Sequence, residues 1–380
     1  MAKTTLQNRV VRKSIARSRQ DIQSWTRAKR YAQQANDPKQ YLLQDIYTDI
    51  SNDALLTSQI NNRHEPTIAA DFVLQNEKGD VDEAATSALH SIPIVQDVIK
   101  AILDSELYGY TLVELSYDGT PRMTVLPRRN VDPVFGRFYF DETGGEHIRY
   151  REAKEYGKFI LEFNSDHLGL LNKCVPHILF KKFAQSCWSE LCEIYGIPPR
   201  YIKTNTQDEQ MLTRAESMLR DMGAAAAFVI DSTEEFQFAQ GVSTNGDVYN
   251  NLIRLCNNET SLVIVGAIIG QDTENGNYSK EQASIGLLGR LIQSDQRMVE
   301  MYMNTVVLPA FMRIGWLPQR SVKFAFSAIE DSADLWAKLT AILPYKDVDN
   351  DWIMEHFGIP VADKNFSLSA KPGTKLEFFA

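Results

Sequence analysis

Residues 180–204 read FKKFAQSCWSELCEIYGIPPRYIKT. The stretch opens inside an amphipathic helix. Leu171, Cys174, Val175, Ile178, Leu179, Phe183, Trp188, Leu191, Cys192 and Tyr195 recur at three- and four-residue steps, the period of one helix face. A helix over 171–195 is about 37 Å long at about 1.5 Å per residue. Gly196 and the Pro198–Pro199 pair stop it, because proline cannot continue the hydrogen-bond ladder. Pro176 falls in the first turns and places the true start near itself. After the stop, RYIKT is strand-like. A long helix stopped abruptly against a short strand is the frame for the rest.

Downstream, residues 197–246 form a compact insert. It holds RYIKT as a strand, a helix over about 208–222, and GAAAAFVIDS and EEFQFAQ as two more strands. A second long helix starts at Asp247 and runs through Leu255 into SLVIVGAIIG, residues 261–270. Its glycines let backbones approach or the helix bend. The polar loop QDTENGNYSK, residues 271–280, leads into a third helix over 280–314. That helix carries the stripe Ile285, Leu288, Ile292, Val299, Tyr302 and Val306. Two long helices therefore bracket a small α/β module.

Upstream, residues 44–61 read as one helix, and VDEAATSALHSIPIVQDVIKAILDSELYG is helical with a break before Pro93. TLVELSYDGTPRMTVLP gives strands over 111–117 and 122–126 around an Asp-Gly turn, a hairpin signal. RFYFDETGGEHIRY repeats the device with Gly144 and Gly145 in the turn, and FILEFN is one more strand. This is an α+β region with antiparallel pairing. The tail adds a strand, VKFAFSAI, then helices over 334–342 and 351–356. No internal repeat is present.

Composition is that of a folded soluble protein: 44% hydrophobic and 23% charged over 380 residues. The longest apolar run, 262–269, is far short of the roughly 20 residues of a membrane span. The N-terminus lacks the apolar core of a secretory signal. Charge is unevenly spread. Residues 1–30 carry nine basic side chains against Asp21 alone, so that segment is +8 and, from −9 overall, the other 350 residues are −17. An acidic body is a poor static binder of nucleic acid, whose phosphates require Lys and Arg. The basic arm could touch nucleic acid or an acidic partner, or remain a solvated tail.

The chemistry-bearing motifs are few. GAIIGQDTENGNYSK resembles a phosphate cradle only faintly. A Walker loop places four residues between its glycines and lysine directly after the second, whereas Gly266 and Gly270 have three between them and Lys280 lies ten beyond. Asp272 and Glu274 would also repel phosphate. DVDND (347–351) mimics the start of a calcium loop, but Trp352 and Gly358 stand where glycine and a bidentate glutamate are needed. Asp351 reads instead as a helix cap. Cys174, Cys187, Cys192 and Cys256 form no CxxC pair, and three lie on an apolar helix side as core thiols, consistent with a reducing cytoplasm. His64, His90, His147, His167, His177 and His356 are scattered. No catalytic constellation, metal site or cofactor motif emerges, and the chain reads as a non-enzyme.

Four segments together resemble a known family: ILDSELYGYTLVELSYDG, FKKFAQSCWSELCEIYGIPPRYIKT, SLVIVGAIIGQDTENGNYSKEQASIGLLGRLIQSDQRMVEMYMNTVVLPAF and, weakly, DWIMEHFGIP. The chain is similar to the portal proteins of tailed bacteriophages, most closely those of Mu-type phages and related prophages, over about residues 45–360. The most specific segment is the helix ending EIYGIPPRYIK. Next is the pattern of Gly270, Gln271, Thr273 and Gly276. The chain is shorter than is usual for the family, mainly at the C-terminus, and the basic arm has no match in it.

The resemblance implies a non-enzymatic ring, expected to be a dodecamer, at one capsid vertex of the virion and assembled in the host bacterial cytoplasm. Its channel passes double-stranded DNA without reading sequence. Its partners would be the large terminase, which holds the ATPase, the major capsid or scaffolding protein, and a head–tail adaptor, with no membrane. The segments map as a basic arm (1–40), wing (41–168), first stem helix (169–196), clip (197–246), second stem helix (247–269), tunnel loop (270–281), following helix (282–318), returning wing strand and helix (319–343) and a tail or short crown (344–380). Gln271, Asp272, Thr273, Glu274, Asn275, Asn277 and Tyr278 would face the channel, with Lys280 the cation that touches DNA or else pairs with Glu281 or a neighbouring subunit. Arg200, Lys203, Asp208, Glu209 and Arg214 of the clip would meet partners. The alternatives are another ring-forming adaptor or capsid component, and a metal-dependent nuclease or hydrolase, which would need convergent carboxylates around Mg²⁺.

Overall fold

Asp53 breaks the first expected helix in two. Its carboxylate accepts from the Leu56 amide at 3.1 Å, so α2 (Tyr41–Ile50) and α3 (Ala54–Ile68) replace the single helix expected over 44–61. The computed structural model describes residues 17–143, 145–165, 168–196, 200–221, 227–231, 233, 247–268, 278–327, 332–346 and 348–357. Ahead of the break lies α1 (Arg17–Ala32), a helix not expected from the sequence. Its Ala28 and Ala32 are buried against α2 and later elements, so this part of the basic arm is packed and not a solvated tail.

The next elements are β1 (Phe72–Gln75), α4 (Glu83–His90) and α5 (Val95–Tyr108), with the break before Pro93 where expected. Gly109 ends α5 at φ 93, a left-handed turn open to glycine, and its N–H returns to the Ser105 carbonyl. The chain then enters β2 (Tyr110–Tyr117), β3 (Pro121–Val125), β4 (Val131–Asp132), β5 (Arg137–Tyr139), β6 (His147–Arg149) and β7 (Ile160–Asn164). Both expected hairpins form, with Tyr117 opposite Pro121 and Tyr139 opposite His147. One antiparallel sheet has the order β3-β2-β7 and a second the order β4-β5-β6.

Then come α6 (Leu171–Gly196), β8 (Arg200–Thr204), α7 (Glu209–Asp221), β9 (Ala227–Asp231) and α8 (Asp247–Val265). The helix α6 starts five residues before Pro176. The strands β8 and β9 run parallel with α7 as their crossover, a βαβ unit placed between two long helices. EEFQFAQ lies outside the described residues. Further on, α9 (Tyr278–Tyr302), a π turn (Met303–Val307) and α10 (Leu308–Ile314) form one continuous run matching the expected third helix. Pro309 follows the π turn, and such an interruption of the regular ladder is where a residue without an N–H is accommodated.

β10 (Lys323–Phe326) pairs antiparallel with β1, Phe72 opposite Phe326, some 250 residues away in sequence. Contacts within the chain divide it after Phe326, so the helix expected to belong with this strand falls in a second unit, Ser327–Ala380. That unit contains α11 (Ser332–Ile342) and α12 (Asn350–Phe357), with Leu339 and Ile353 buried and Trp336 edge-on to Phe357. The helix α12 starts at Asn350, so Asp351 lies inside it and does not cap it.

Among the described residues, two large apolar cores and a small one around Tyr110, Leu112, Val131 and Tyr150 organise the first unit. The first large core joins α4, α5, the β3-β2-β7 sheet, β10 and the end of the α9–α10 run through Leu89, Ile99, Ile102, Phe163, Phe311 and Phe324. The second joins α1, α2, α3, α6 and α8 through Leu43, Tyr47, Ile50, Leu171, Ile178 and Ile264. Burial of such side chains is the main favourable term, about 25 cal/mol per Å² of apolar surface. Cys174 lies in the second core, and burial pushes its thiol up to about 12. Cys192 is exposed on the far part of the same helix. We expect a thiol alkylating reagent at mild alkaline pH to label Cys192 readily and to leave Cys174 unmodified until the chain is unfolded, as read by peptide mass spectrometry.

Candidate functional site

The long helices α6 and α8 pack side by side. Cys174 and Ile178 share a core with Ile264 and Val265, and Lys181 acts electrostatically on Cys256, so the two helices run antiparallel. The chain runs out along α6 and returns along α8, with the βαβ unit between them in sequence, and the base of the helix pair is where α6 begins and α8 ends. The base is pinned by charge. Asp53, besides capping α3, receives Lys181 Nζ at 2.8 Å in a nearly buried pair. Lys182 reaches Asp49 at 2.8 Å at the end of α2.

Where α8 ends, a single side chain organises the region. Arg63 of α3 donates Nε and Nη2 to the two carboxylate oxygens of Asp295 on α9, at 2.7 and 2.8 Å, and Nη1 to the Ile264 carbonyl at 2.9 Å. Both side chains are buried, 8% and 6% exposed. The Ile264 carbonyl is among the last four of α8, which lack intrahelical partners, and a cation there also meets the negative end of the helix dipole. The planar guanidinium suits this because its forked donors serve a carboxylate and a carbonyl together. Burial works against the Arg63 charge, but the hydrogen bond and charge of Asp295 outweigh it and hold the group above its ordinary pKa. The adjacent His64 is also buried, and burial pushes its pKa down despite Asp104 and Asp295.

The consequence is geometric. Arg63 ties the last turn of α8, at the Ile264 carbonyl, to Asp295 in the middle of α9. Gly266 turns the chain out of α8 at φ 71, where Leu291 of α9 already stands 3.3 Å from the place of a side-chain carbon. Gln271, Asp272, Thr273, Glu274, Asn275 and Asn277 lie outside the described residues. Tyr278 and Lys280 fall in the first turn of α9, two residues earlier than the start expected at Lys280.

The five residues expected in the insert are distributed over its elements. Arg200 opens β8, and Lys203 is exposed on the same strand opposite Ile230. Asp208 caps α7, accepting from the Gln210 and Met211 amides at 3.0 and 3.2 Å. Glu209 and Arg214 are exposed on α7 and line one shallow depression with Thr213 and Ser217. At the end of β9, Asp231 accepts from the Thr206 hydroxyl and amide and from Thr233, and these hydrogen bonds hold its carboxyl well below the usual range. The structure therefore brings Asp208, Glu209 and Arg214 onto one helix and leaves Lys203 on the strand.

Arg63, Asp295, Asp53 and Lys181 carry the architecture of this region and were not singled out in the sequence. Only Asp53 announces itself, by preceding a helical run as a cap does. Among the described residues no group of His, Cys, Asp and Glu is placed to hold a metal, and no described helix is long and apolar enough to cross a membrane.

Solved structures give the overall fold its context. The neck of an empty GTA particle, computed with C6 symmetry, is similar in fold at a TM-score of 0.51 and 13% identity, covering 84% of this chain and 94% of that one. The neck of a native GTA particle with C12 symmetry gives 0.45 at 14% identity, covering 84% and 94%. An HK97-family phage portal protein from Corynebacterium diphtheriae gives 0.40 at 10% identity, covering 79% and 97%. No curated protein matches the chain. The family model, which matches most of the chain, places it in the phage portal class. The chain belongs to the family described as portal protein of Mu bacteriophage, whose model matches residues 44–359. That family is structural and not enzymatic.

Proposed function

We propose that this portal protein assembles as a ring of identical subunits, with twelve as the expected number, at one vertex of a capsid, and conducts double-stranded DNA in and out. The observation that carries this reading is the antiparallel pair α6 and α8 interrupted by a βαβ unit, in a chain of the portal family. The pair is the stem, the βαβ unit the clip, and the α+β region with β10 the wing. Residues 270–281 are the tunnel loop. Its polar and acidic side chains would line the channel without gripping phosphate, since each neutralised phosphate adds affinity by counterion release. An acidic body suits a conduit through which DNA slides.

A second feature favours a ring. Val248, Leu255 and Leu262 lie seven residues apart on α8, and all three are exposed in the single chain. An apolar stripe of this kind is the face on which a neighbouring subunit packs. The clip, with Glu209 and Arg214 outward, would dock the large terminase during packaging and a head–tail adaptor afterwards. The wing would meet the major capsid or scaffolding protein, making the chain a virion component.

Negative-stain images of the purified protein are expected to show rings with a central channel. A monodisperse monomer under every assembly condition would remove the reading. Deleting residues 200–244 separates a portal from another ring-forming adaptor: α6 and α8 should still fold and form rings, while binding to terminase or adaptor is lost.

A further inference from the structure

We propose that the groove enclosed by α1, α2 and α6 is the seat of this chain's own N-terminal residues 1–16. The groove has a volume of about 650 Å³. Ile46, Leu179 and Phe183 give it an apolar floor, and Asp21, Asp45, Asp49 and Glu190 stand around it. Lys182 is the single cation among its described lining residues, and Asp49 holds it at 2.8 Å. Arg129 approaches Asp45 at 3.4 Å, with Glu142 its closer partner at 2.8 Å. The groove is therefore acidic and partly greasy.

Residues 1–16, MAKTTLQNRVVRKSIA, are its chemical complement. They hold Lys3, Arg9, Arg12 and Lys13 with no acidic residue, interleaved with Leu6, Val10, Val11 and Ile15. Basic and aliphatic side chains alternate closely enough for one segment to fill the floor while pairing with the rim.

The direction of α1 selects the chain's own arm over that of another copy. Trp25 Nε1 donates to Asn172 Oδ1 at 2.9 Å, at the start of α6, whereas Asp21 and Ser24 share the groove with α6 residues from Leu179 to Glu190. The helix α1 therefore runs antiparallel to α6, its N-terminal end directed toward Glu190. From Trp25 back to Arg17 is about 12 Å, which brings Arg17 level with about Phe180, and α6 continues about 24 Å further. A segment that continued the direction of α1 past Arg17 would run along the groove without a reversal. Sixteen residues reach up to about 55 Å when extended, more than the remaining length of α6. Seated there, the arm places its cations on the carboxylates of this subunit and covers the apolar side of α6.

Cys187 lines the groove and supplies a native probe. In the full chain carrying Ile15→Cys and Cys192→Ser, mild oxidation is expected to give an intrachain disulfide between positions 15 and 187, migrating as a single chain on a non-reducing gel and identified by peptide mass. Its yield should fall several-fold in about 1 M salt, where surface charge is screened. Cross-links found only between chains would assign the groove to a neighbouring copy's arm and overturn the proposal, and so would no cross-link at either salt. Deleting residues 1–16 gives a second reading on the native thiols. Maleimide labelling of Cys187 should rise several-fold while that of Cys192 is unchanged; equal labelling of Cys187 with and without the arm overturns the proposal.

Discussion

Arg63→Met is expected to destabilise the first unit by about 3–5 kcal/mol, the usual cost of removing one member of a buried ion pair. The substitution keeps most of the buried length of the side chain. It leaves the Asp295 carboxylate, 6% exposed, without its guanidinium, and the Ile264 carbonyl at the end of α8 without its donor. Arg63→Lys should recover only part of the loss, because one ammonium cannot reproduce two parallel bonds to Asp295 and a third to Ile264. The decisive comparison is the double variant Arg63→Met, Asp295→Leu. An apolar pair of similar volume removes both buried charges, so most of the stability should return. Urea midpoints of the parent, Arg63→Met, Asp295→Leu and the double variant close the cycle, with slopes compared to verify that the same surface unfolds. If Arg63→Met shifted the midpoint no more than an exposed substitution does, the pair would be a bystander. In the portal reading the double variant has a second use. It restores stability while removing the link between the last turn of α8 and the middle of α9, and so separates the positioning of these two helices from the fold's integrity.

This clamp also marks the limit of what local sequence conveys. The hairpins were legible because an Asp-Gly or Gly-Gly turn between short β-prone runs acts within a dozen residues. The runs at 171–195 and 280–314 were legible because an apolar stripe repeats every turn. What failed was either non-local or weakly patterned. The strand β1 is four residues long and pairs with β10 from the other end of the unit, so no neighbouring residue announces it. The helix α1 is strongly basic, and its anchors are the small Ala28 and Ala32 with Trp25, too few to draw a stripe. The split at Asp53 was available from a cap signal preceding Ala54, but the apolar run across 44–61 outweighed it. Arg63 and Asp295 are 232 residues apart, and in sequence each looks like an ordinary polar residue on a helix surface. Family likeness supplied the role of the chain, whereas the residues that hold its base together were visible only in three dimensions.

Gly169→Ala is the second substitution expected to have a large effect, and its cause is space as much as backbone. Gly169 sits where the antiparallel sheet region hands over to α6, two residues before the helix begins. Its φ of 92 lies in the left-handed region, which costs a residue with a Cβ about 1–2 kcal/mol. A carbon there would also stand 2.7 Å from the Gly109 nitrogen and closer still to the Leu107 carbonyl, both main-chain atoms that cannot rotate aside. The surroundings are fixed by hydrogen bonds from the Leu170 amide to the Glu106 carbonyl and from the Ser165 amide to the Gly109 carbonyl, at 3.0 and 2.9 Å. Relief therefore requires α5 and α6 to separate, and overpacking of this kind costs about 1–3 kcal/mol more. A total of about 2–5 kcal/mol is expected. Gly119→Ala supplies the control, since Gly119 has a similar φ of 74 but nothing within 4 Å of its missing side chain. It should cost only the backbone share, about 1–2 kcal/mol. Thermal or urea unfolding of the two variants beside the parent decides the matter. Equal losses would mean that the approach of α5 to the start of α6 is loose enough to yield. A clearly larger loss at Gly169 would establish this junction as the rigid seat from which α6 starts.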